Sequence, residues 1–207
     1  MTDQVAQALL SAQAVQLSTD PLFTWASGIQ SPIYCDNRLL MGYPELREVV
    51  AKQLAEKIQA EFPGCEVVAG TATAGIPHAA WVSSEMRLPM VYVRSKAKEH
   101  GRGNQIEGKL SEGQKVVVVE DLISTGGSSI TAVEALQKDG ADVLGVVSIF
   151  SYELPKAAQA FKNIGVPYAS LTTLPKLTEQ AQESGALNEE QLAFINNWHA
   201  ELQQRNG

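Results

Sequence analysis

The stretch from Val116 to Ser128 restricts the fold of this chain more than any other part of the sequence. Four consecutive valines, Val116–Val119, are followed by two adjacent acids and then by a loop of small residues, Ser124–Ser128. A strand that is apolar on both faces belongs in the middle of a parallel sheet with helices on each side. The stretch therefore predicts a buried central strand that ends in an acidic, glycine-containing loop.

The rest of the chain alternates short apolar runs with amphipathic segments of about ten or more residues. This alternation predicts an α/β fold with a central, mostly parallel sheet flanked by helices. The predicted strands are 66–70, 88–93, 116–119, 143–150 and 166–171. The predicted helices are 3–17, a helix that begins at Pro44, 76–86, 128–138, 154–164, 175–184 and 189–199.

We expect a single domain over residues 1–207, since no linker, repeat or low-complexity segment interrupts this pattern. Its core is predicted over about 44–172. Residues from about 1–40, with a turn-rich or hairpin segment at 23–36, and the C-terminal helices are predicted to form a small hood over one edge. Residues 94–108 are polar, charged and glycine-containing, which predicts a mobile loop.

The loop at the end of the valine strand has the composition of an anion site. Ligands of open α/β sheets bind at the carboxyl ends of the strands. Gly126 and Gly127 let successive N–H groups face one concavity, and the helix that follows adds free N–H groups and a positive dipole end. Ser124, Thr125 and Ser128 add hydroxyl donors. Together these groups predict a cradle for a phosphate monoester.

Glu120 and Asp121 need a different partner, because carboxylates repel phosphate. Sugar hydroxyls, a metal ion or a developing positive charge would suit them. A phosphate cradle beside two carboxylates describes a site for ribose 5-phosphate. A helix cap would explain a lone acid before a serine-rich turn, but not four valines, two acids and a hydroxyl and glycine loop in one run.

The composition narrows the choice of partners. The chain carries 16 basic and 23 acidic residues, a net charge of −7, which disfavours sequence-independent binding of nucleic acid. Its two cysteines, Cys35 and Cys65, form no CxxC pair, as is usual in reduced cytosolic proteins. The N-terminus lacks a signal-peptide pattern, and no apolar run approaches the roughly 18 residues of a membrane span. We therefore expect a cytoplasmic protein with neither nucleic-acid nor membrane partners.

Four segments resemble those of a known enzyme family. Val116–Ser128 is similar to the 5-phosphoribosyl 1-diphosphate (PRPP) motif of type I phosphoribosyltransferases. Phe23–Arg38 resembles the N-terminal segment of orotate phosphoribosyltransferases, and Arg94–Gly101 resembles their catalytic loop. Thr71–Pro77 falls where that family has its pyrophosphate-binding loop. The segments keep the family's order over nearly the whole chain.

This resemblance implies the type I phosphoribosyltransferase fold and the transfer of phosphoribose from PRPP to orotate in pyrimidine synthesis. It implies that Glu120 and Asp121 hold the ribose hydroxyls, with Asp121 also taking part in catalysis. Arg94, Lys98 and His100 would be catalytic residues that close over the pyrophosphate, and Lys98 or His100 would protonate the leaving oxygen. The other implied PRPP contacts are Thr73, Ala74, Leu122, Ile123, Ser124, Thr125, Gly126, Gly127 and Ser128.

The resemblance also implies partners. Mg²⁺ would be carried by PRPP, without a site built from protein ligands alone. The protein would be a homodimer in which the loop at 94–108 reaches into the active site of the neighbouring subunit.

The chain departs from the family pattern at several positions. Ala26, Ala74 and Ser95 stand where the family often has cations, and Tyr34-Cys35 stands where it often has paired phenylalanines. Lys96 and Arg38 are the candidates to compensate for the missing charge. The predicted orotate contacts are Ser124, Tyr34, Arg38 and Tyr152, of which Arg38 would suit the carboxylate of orotate.

Two alternatives share the PRPP motif. An enzyme for another base, such as a purine phosphoribosyltransferase, would not be expected to share the segment Phe23–Arg38. A PRPP-sensing transcription regulator would need a DNA-binding module and a basic face, and its sensing would not need the cations Arg94, Lys98 and His100. The sequence favours the orotate enzyme over both.

Overall fold

The protein is described by a computed structural model that covers residues 3–25, 28–96 and 105–205. The helices of this part are α1 (Gln4–Ser11), α2 (Pro44–Glu61), α3 (Gly75–Met86), α4 (Gly127–Lys138), α5 (Pro155–Ile164), α6 (Leu174–Glu183) and α7 (Glu189–Arg205). The strands are β1 (Val15–Leu17), β2 (Phe23–Thr24), β3 (Gln30–Ser31), β4 (Ile33–Cys35), β5 (Val67–Thr71), β6 (Met90–Val93), β7 (Ile106–Glu107), β8 (Lys115–Ile123), β9 (Asp142–Ser151) and β10 (Tyr168–Thr173). A 3₁₀ helix spans Asn37–Gly42.

The central sheet contains six of these described strands, in the order β10-β9-β8-β5-β6-β7. The first five are mutually parallel, and β7 runs antiparallel to β6 at the edge. β8 therefore lies inside the sheet, as the valine run predicts. The α/β fold with a mostly parallel sheet is confirmed.

The four valines of β8 divide between two hydrophobic cores, because successive side chains of a strand point to opposite faces. Val117 and Val119 belong to the core that also contains residues of α2 and α3. Val116 and Val118 belong to the core that contains residues of α4 and α5. All four valines are fully buried, and this position explains why the run is apolar without a break.

The N-terminal segment differs from the predicted helix 3–17. The helix α1 ends at Ser11, and β1 then pairs antiparallel with β4. Gln13 has a φ of 53°, a left-handed conformation that a continuing helix does not allow. The apolar residue Val15, which prolonged the helical spacing, is buried as a strand residue instead.

The N-terminal and C-terminal segments meet through aromatic side chains. The indole N–H of Trp198 in α7 donates to the carbonyl of Gln30 at 2.9 Å. The Trp198 and Trp25 rings pack edge to face at 5.7 Å, and Trp25 packs against Tyr152 at 5.5 Å. The hairpin β2–β3 is therefore held between α7 and the chain that follows β9.

The segment predicted as a loop at 94–108 contains part of an edge strand. Tyr92 pairs with Glu107 and Val93 with Ile106, so the chain returns along β6. No helix among the described residues is both long and apolar enough to cross a membrane.

Candidate active site

The carboxyl ends of β5 and β6 and the beginning of α4 line one cleft, and β8 lies next to β5 in the sheet. Parallel strands place their carboxyl ends at the same edge of a sheet, so residues distant in the chain converge there. The cleft has a volume of about 130 Å³. Its lining residues come from the end of β5, the end of β6 and the beginning of α4: Thr71, Ala72, Val93, Arg94, Ser95, Gly127, Ser128, Thr131 and Ala132.

Glu120 is buried at this edge, with only 4% of its surface exposed. One carboxylate oxygen accepts from the Thr71 hydroxyl at 2.5 Å and from the backbone N–H of Asp121 at 3.2 Å. The other accepts from the hydroxyls of Ser128 at 2.8 Å and Ser129 at 3.1 Å. Buried carboxylates require such donors. Glu120 thus ties the end of β5 to the first turn of α4.

Asp121 is partly buried beside Glu120. Burial, followed by the negative charge of Glu120, raises the pKa of Asp121 to about 7. Its charge acts in turn on Cys35, whose pKa is raised mainly by burial, and on Arg38. An acid with a strongly raised pKa beside a cleft is typical of a functional site.

The loop after β8 leads directly into the N-terminus of α4. Gly126 is the N-cap residue with a φ of 82°, and an added Cβ there would lie 3.1 Å from the Phe161 ring. Gly127 begins the helix, and a Cβ there would meet no atom within 4 Å. The exposed Ser128 and half-buried Ser124 and Thr125 flank these glycines. The first turn of α4 is therefore exposed at Gly127 and Ser128, as an anion cradle at a helix N-terminus requires.

Leu122 and Ile123, which the PRPP motif includes, are still strand residues. They pair with Phe150 and Ser151 of β9, and Ile123 is fully buried in the core beside α5. The strand β8 is thus longer than the four valines predict. Leu122 and Ile123 thus anchor the beginning of the loop 124–128 in the sheet.

The segment between β5 and α3 is the one that the sequence predicts to bind pyrophosphate. Thr73 is exposed and Ala74 half-buried, and the peptide bond between Ala72 and Thr73 is cis. Gly75, at the start of α3, packs so closely that a Cβ would lie 2.6 Å from the carbonyl oxygen of Val119 and would also overlap the Thr71 hydroxyl. The loop therefore lies against the end of β8, beside Glu120.

Arg94 leaves the end of β6 at the other side of the cleft. Its backbone N–H donates to the carbonyl of Gln105 at 2.9 Å, and the Gln105 side chain donates back to the carbonyl of Arg94 at 2.9 Å. Its guanidinium lies 3.5 Å from the Glu107 carboxylate. Two other predicted catalytic residues, Lys98 and His100, lie outside the described residues.

The predicted orotate contacts Tyr34, Arg38 and Tyr152 differ in their exposure to solvent. Tyr34 is 42% exposed, and Arg38 forms a two-pronged ion pair with Asp36 at 2.6 and 2.8 Å that raises the pKa of the guanidinium. Tyr152 is 3% exposed and packs edge to face on Phe150 at 5.1 Å. Tyr34 and Arg38 are thus accessible, whereas Tyr152 lies beneath the surface.

Sequence reasoning missed three polar residues of this site. Thr71 and Ser129 bind Glu120, and Asn37 donates its side-chain amide to the carbonyl of Asp121 at 2.7 Å. Ser129 continues the hydroxyl-rich loop and could have been found from the sequence. Thr71 and Asn37 lie in segments that resemble the family, but their contacts carry no local signal, because the partners are 49 and 84 positions away.

Comparison with known proteins agrees with this geometry. The phosphoribosyl transferase domain family matches residues 44–172. Over 202 residues the chain is 54% identical to the orotate phosphoribosyltransferase of Staphylococcus haemolyticus, covering 98% of this chain and 100% of that protein. The chain belongs to the orotate phosphoribosyltransferase family.

Solved structures support the same assignment. The orotate phosphoribosyltransferase of Aeropyrum pernix superposes with a TM-score of 0.76 at 29% identity, covering 89% of this chain and 99% of that one. The Mycobacterium tuberculosis orotate phosphoribosyltransferase, solved in complex with PRPP, superposes with a TM-score of 0.66 at 27% identity, covering 84% and 98%. The family and the type I phosphoribosyltransferase fold predicted from the sequence are confirmed, and the alternatives of a purine enzyme and a regulator lose their support.

Proposed function

We propose that the cleft at the ends of β5 and β6, together with the neighbouring end of β8, carries the reaction of this family. The enzyme transfers the 5-phosphoribosyl group from PRPP to orotate, giving orotidine 5′-monophosphate and pyrophosphate for pyrimidine synthesis. The observation that supports this location is the convergence of an open helix N-terminus, a carboxylate pair and Arg94 at one edge of the sheet. Each of these groups suits a different part of PRPP.

The 5-phosphate would bind at the beginning of α4. The backbone at Gly127 is open, and Ser124 and Thr125 supply hydroxyl donors beside it, whereas Ser128 would have to turn its proton from Glu120 to the phosphate. The dipole of the 12-residue helix α4 favours a dianion at this end. This placement leaves the ribose ring next to Glu120 and Asp121.

The pyrophosphate would lie between the loop Thr73–Ala74 and the cations of the segment that begins at Arg94. Expulsion of pyrophosphate concentrates negative charge on the leaving group, so cations held there stabilise the transition state. We assign Arg94, Lys98 and His100 to this task, with Lys98 or His100 giving a proton to the leaving oxygen. The exposed Lys96 would offset the charge missing at Ala74 and Ser95.

Asp121 would stabilise the sugar carbon as it becomes cation-like. Its raised pKa reflects burial and then the negative charge of the neighbouring Glu120. The developing positive charge, together with hydroxyl donors from ribose, would favour the ionised form. Glu120 is already engaged by three hydroxyls, so its contribution to ribose binding would accompany its role in holding the loop.

We propose Mg²⁺ as the divalent ion, bound together with PRPP. Mg²⁺ prefers oxygen ligands, one or two carboxylates and substrate phosphates, and the Asp121 carboxylate beside the proposed ribose site fits this preference. When bound, the ion would neutralise charge on the pyrophosphate. Chelation should abolish turnover, and added Mg²⁺ should restore it; full activity after exhaustive chelation would contradict the assignment.

Orotate would bind on the side of the N-terminal segment. Arg38 would meet the orotate carboxylate, which requires it to share or release Asp36, while Tyr34 is exposed enough to cover the base. Ser124 would approach the base from the loop. Tyr152 would contribute indirectly, by packing against Trp25 of the N-terminal segment. Ala26, which follows Trp25, lies outside the described residues.

We also propose a single cytoplasmic domain, with its core at about 44–172 and a hood from the two chain ends, that works as a homodimer with shared active sites. Mixing two inactive variants, Lys98→Ala and Asp121→Asn, tests the sharing. Hybrid dimers pair an intact loop with an intact PRPP site, so part of the activity should return. If the mixture stays inactive after subunit exchange is verified, the sites are not shared.

The direct test of the reaction follows orotate absorbance with PRPP and Mg²⁺. Wild-type protein should consume orotate, and Lys98→Ala should lose most of the turnover while unfolding at the same temperature. Turnover with adenine or hypoxanthine instead of orotate would overturn the substrate assignment. Unchanged turnover in Lys98→Ala would remove the loop from the mechanism.

A further inference from the structure

The Asn37 side chain continues the hydrogen-bond ladder of β8 where the neighbouring strand β5 stops. The last pair between these strands is Gly70 with Val119, and the carbonyls of Val119 and Asp121 point to the same side because they are two residues apart. The Thr71 hydroxyl, whose single proton goes to Glu120, lies 3.2 Å from the Val119 carbonyl. Asn37 donates its amide to the Asp121 carbonyl at 2.7 Å and so takes the place of a missing strand.

Asn37 is held firmly in this position. It is fully buried, and its side-chain oxygen accepts from the Cys35 thiol at 3.4 Å. Its backbone interacts with the ring of His78 in α3, which is itself 1% exposed. The amide therefore has a fixed direction, and it connects the chain after β4 to the beginning of the PRPP loop.

We propose that Asn37 is a positioning residue for the transfer reaction: it holds the end of β8 so that Asp121 and the PRPP loop keep their place. It touches no reacting atom and acts through the backbone of Asp121. The inference rests on the proposed active site, since it assumes that Asp121 meets the ribose. The same hydrogen bond would fix the distance between the PRPP site and the segment that we propose to bind orotate, because Arg38 follows Asn37 directly.

The test uses two substitutions at Asn37 and one matched control. Asn37→Leu keeps a similar volume without a donor, and Asn37→Asp keeps the shape but places an acceptor against the Asp121 carbonyl. Thr172→Val is the control: Thr172 is fully buried and donates to Asp3 at 2.7 Å, a hydrogen bond that lies outside the cleft. For each protein we would measure the unfolding temperature, the Kd for PRPP, and kcat and KM for both substrates.

Both Asn37 variants should bind PRPP about tenfold more weakly and lose about tenfold in kcat, because a buried carbonyl left without its donor lets the strand end move. Asn37→Asp should be the more severe. Thr172→Val should unfold at a lower temperature while its Kd and kcat stay within about twofold of wild type. If the Asn37 variants lose only unfolding temperature, as the control does, then Asn37 is a structural residue and the proposal is wrong.

A third variant at Asn37 and a wild-type activity assay cover the cases in which a variant does not fold or the proposed function is wrong. Should Asn37→Leu fail to fold, Asn37→Ser, which keeps a shorter donor, should give an intermediate loss of PRPP affinity; wild-type affinity in a folded Asn37→Ser would overturn the proposal. Wild-type turnover of orotate is measured in parallel, so failure of the proposed function would appear as absent wild-type activity. The role of Asn37 would then be judged by PRPP affinity alone.

Discussion

The hydroxyl of Thr71 lies 2.5 Å from the carboxylate of Glu120, although 49 positions of the chain separate the two residues. Thr71 ends β5, and Glu120 lies in the next strand of the sheet. The same carboxylate binds Ser128 and Ser129 at the start of α4. The two loops that we assign to pyrophosphate and to ribose phosphate are therefore joined through one buried acid.

Thr71→Val should destabilise the protein and impair PRPP binding. It keeps the side-chain volume but removes a donor to a buried carboxylate, which should lower the free energy of unfolding by about 1–3 kcal/mol. KM for PRPP should rise severalfold, because the first turn of α4 loses a connection to β5. Thr71→Ser retains the hydroxyl and serves as the control in urea unfolding and steady-state kinetics. Equal behaviour of the two variants would show that the hydroxyl does not matter.

The stability of the protein should depend on the ionisation of Asp121. Its pKa is raised to about 7 in the folded state, so between about pH 4 and 7 the folded protein binds more protons than the unfolded chain. The free energy of unfolding contributed by this group therefore falls as the pH rises through that window. Asp121→Asn should remove this fall, whereas Asp142→Asn, at an exposed position, should keep it. Urea unfolding across the window checks the slope; a wild-type slope in Asp121→Asn would show that another group is responsible.

The two adjacent loop glycines should respond differently to alanine. Gly126→Ala forces a left-handed φ of 82° on alanine and brings its Cβ to 3.1 Å from Phe161, so it should cost about 1–3 kcal/mol of unfolding free energy. Gly127→Ala meets no atom within 4 Å and should unfold like wild type. Because Gly127 lines the cleft, its methyl group should instead raise KM for PRPP. Thermal unfolding and kinetics of the pair separate the two effects, and an unchanged KM in Gly127→Ala would place the phosphate elsewhere.

Loss of the Trp198 side chain should weaken the binding of orotate more than the binding of PRPP. Trp198→Ala removes the hydrogen bond to Gln30 and the ring contact with Trp25, at a cost of about 2 kcal/mol. The hairpin β2–β3 would lose its support from α7, so KM for orotate should rise while KM for PRPP stays near wild type. Phe194→Ala, at a position of the same helix that is 42% exposed, is the control. A rise in KM for PRPP alone would contradict the proposal that orotate binds on the side of the N-terminal segment.

Much of the fold could be predicted because it follows from local patterns. The alternation of Val116 to Val119 between two cores needs only the period of a strand, and α2 begins at Pro44 as the sequence indicates. The N-terminal helix was predicted too long because Val15 keeps a helical spacing while pairing with Cys35 in a strand. Such pairing depends on a partner 20 positions away, which spacing alone does not reveal.

The candidate site was predictable in type but not in its internal contacts. The acids and the glycine loop are adjacent in the chain, so their chemistry is visible in the sequence. The burial of Glu120 is not, since it depends on Thr71 from another strand. Tyr152 is one of the predicted orotate contacts, whereas the structure buries it against Trp25 and Phe150. Its role in orotate binding stays a prediction.

The sharing of Glu120 by three hydroxyls has a consequence for how this enzyme can change. Once Thr71 is lost, a carboxylate oxygen loses its hydroxyl donor, and a second change at Ser128 or Ser129 then acts on a weakened anchor. Effects of substitutions that share a partner do not add. During evolution, the order in which these positions are substituted would therefore decide which intermediate sequences still fold and bind PRPP. The three hydroxyl positions would then tend to be retained together.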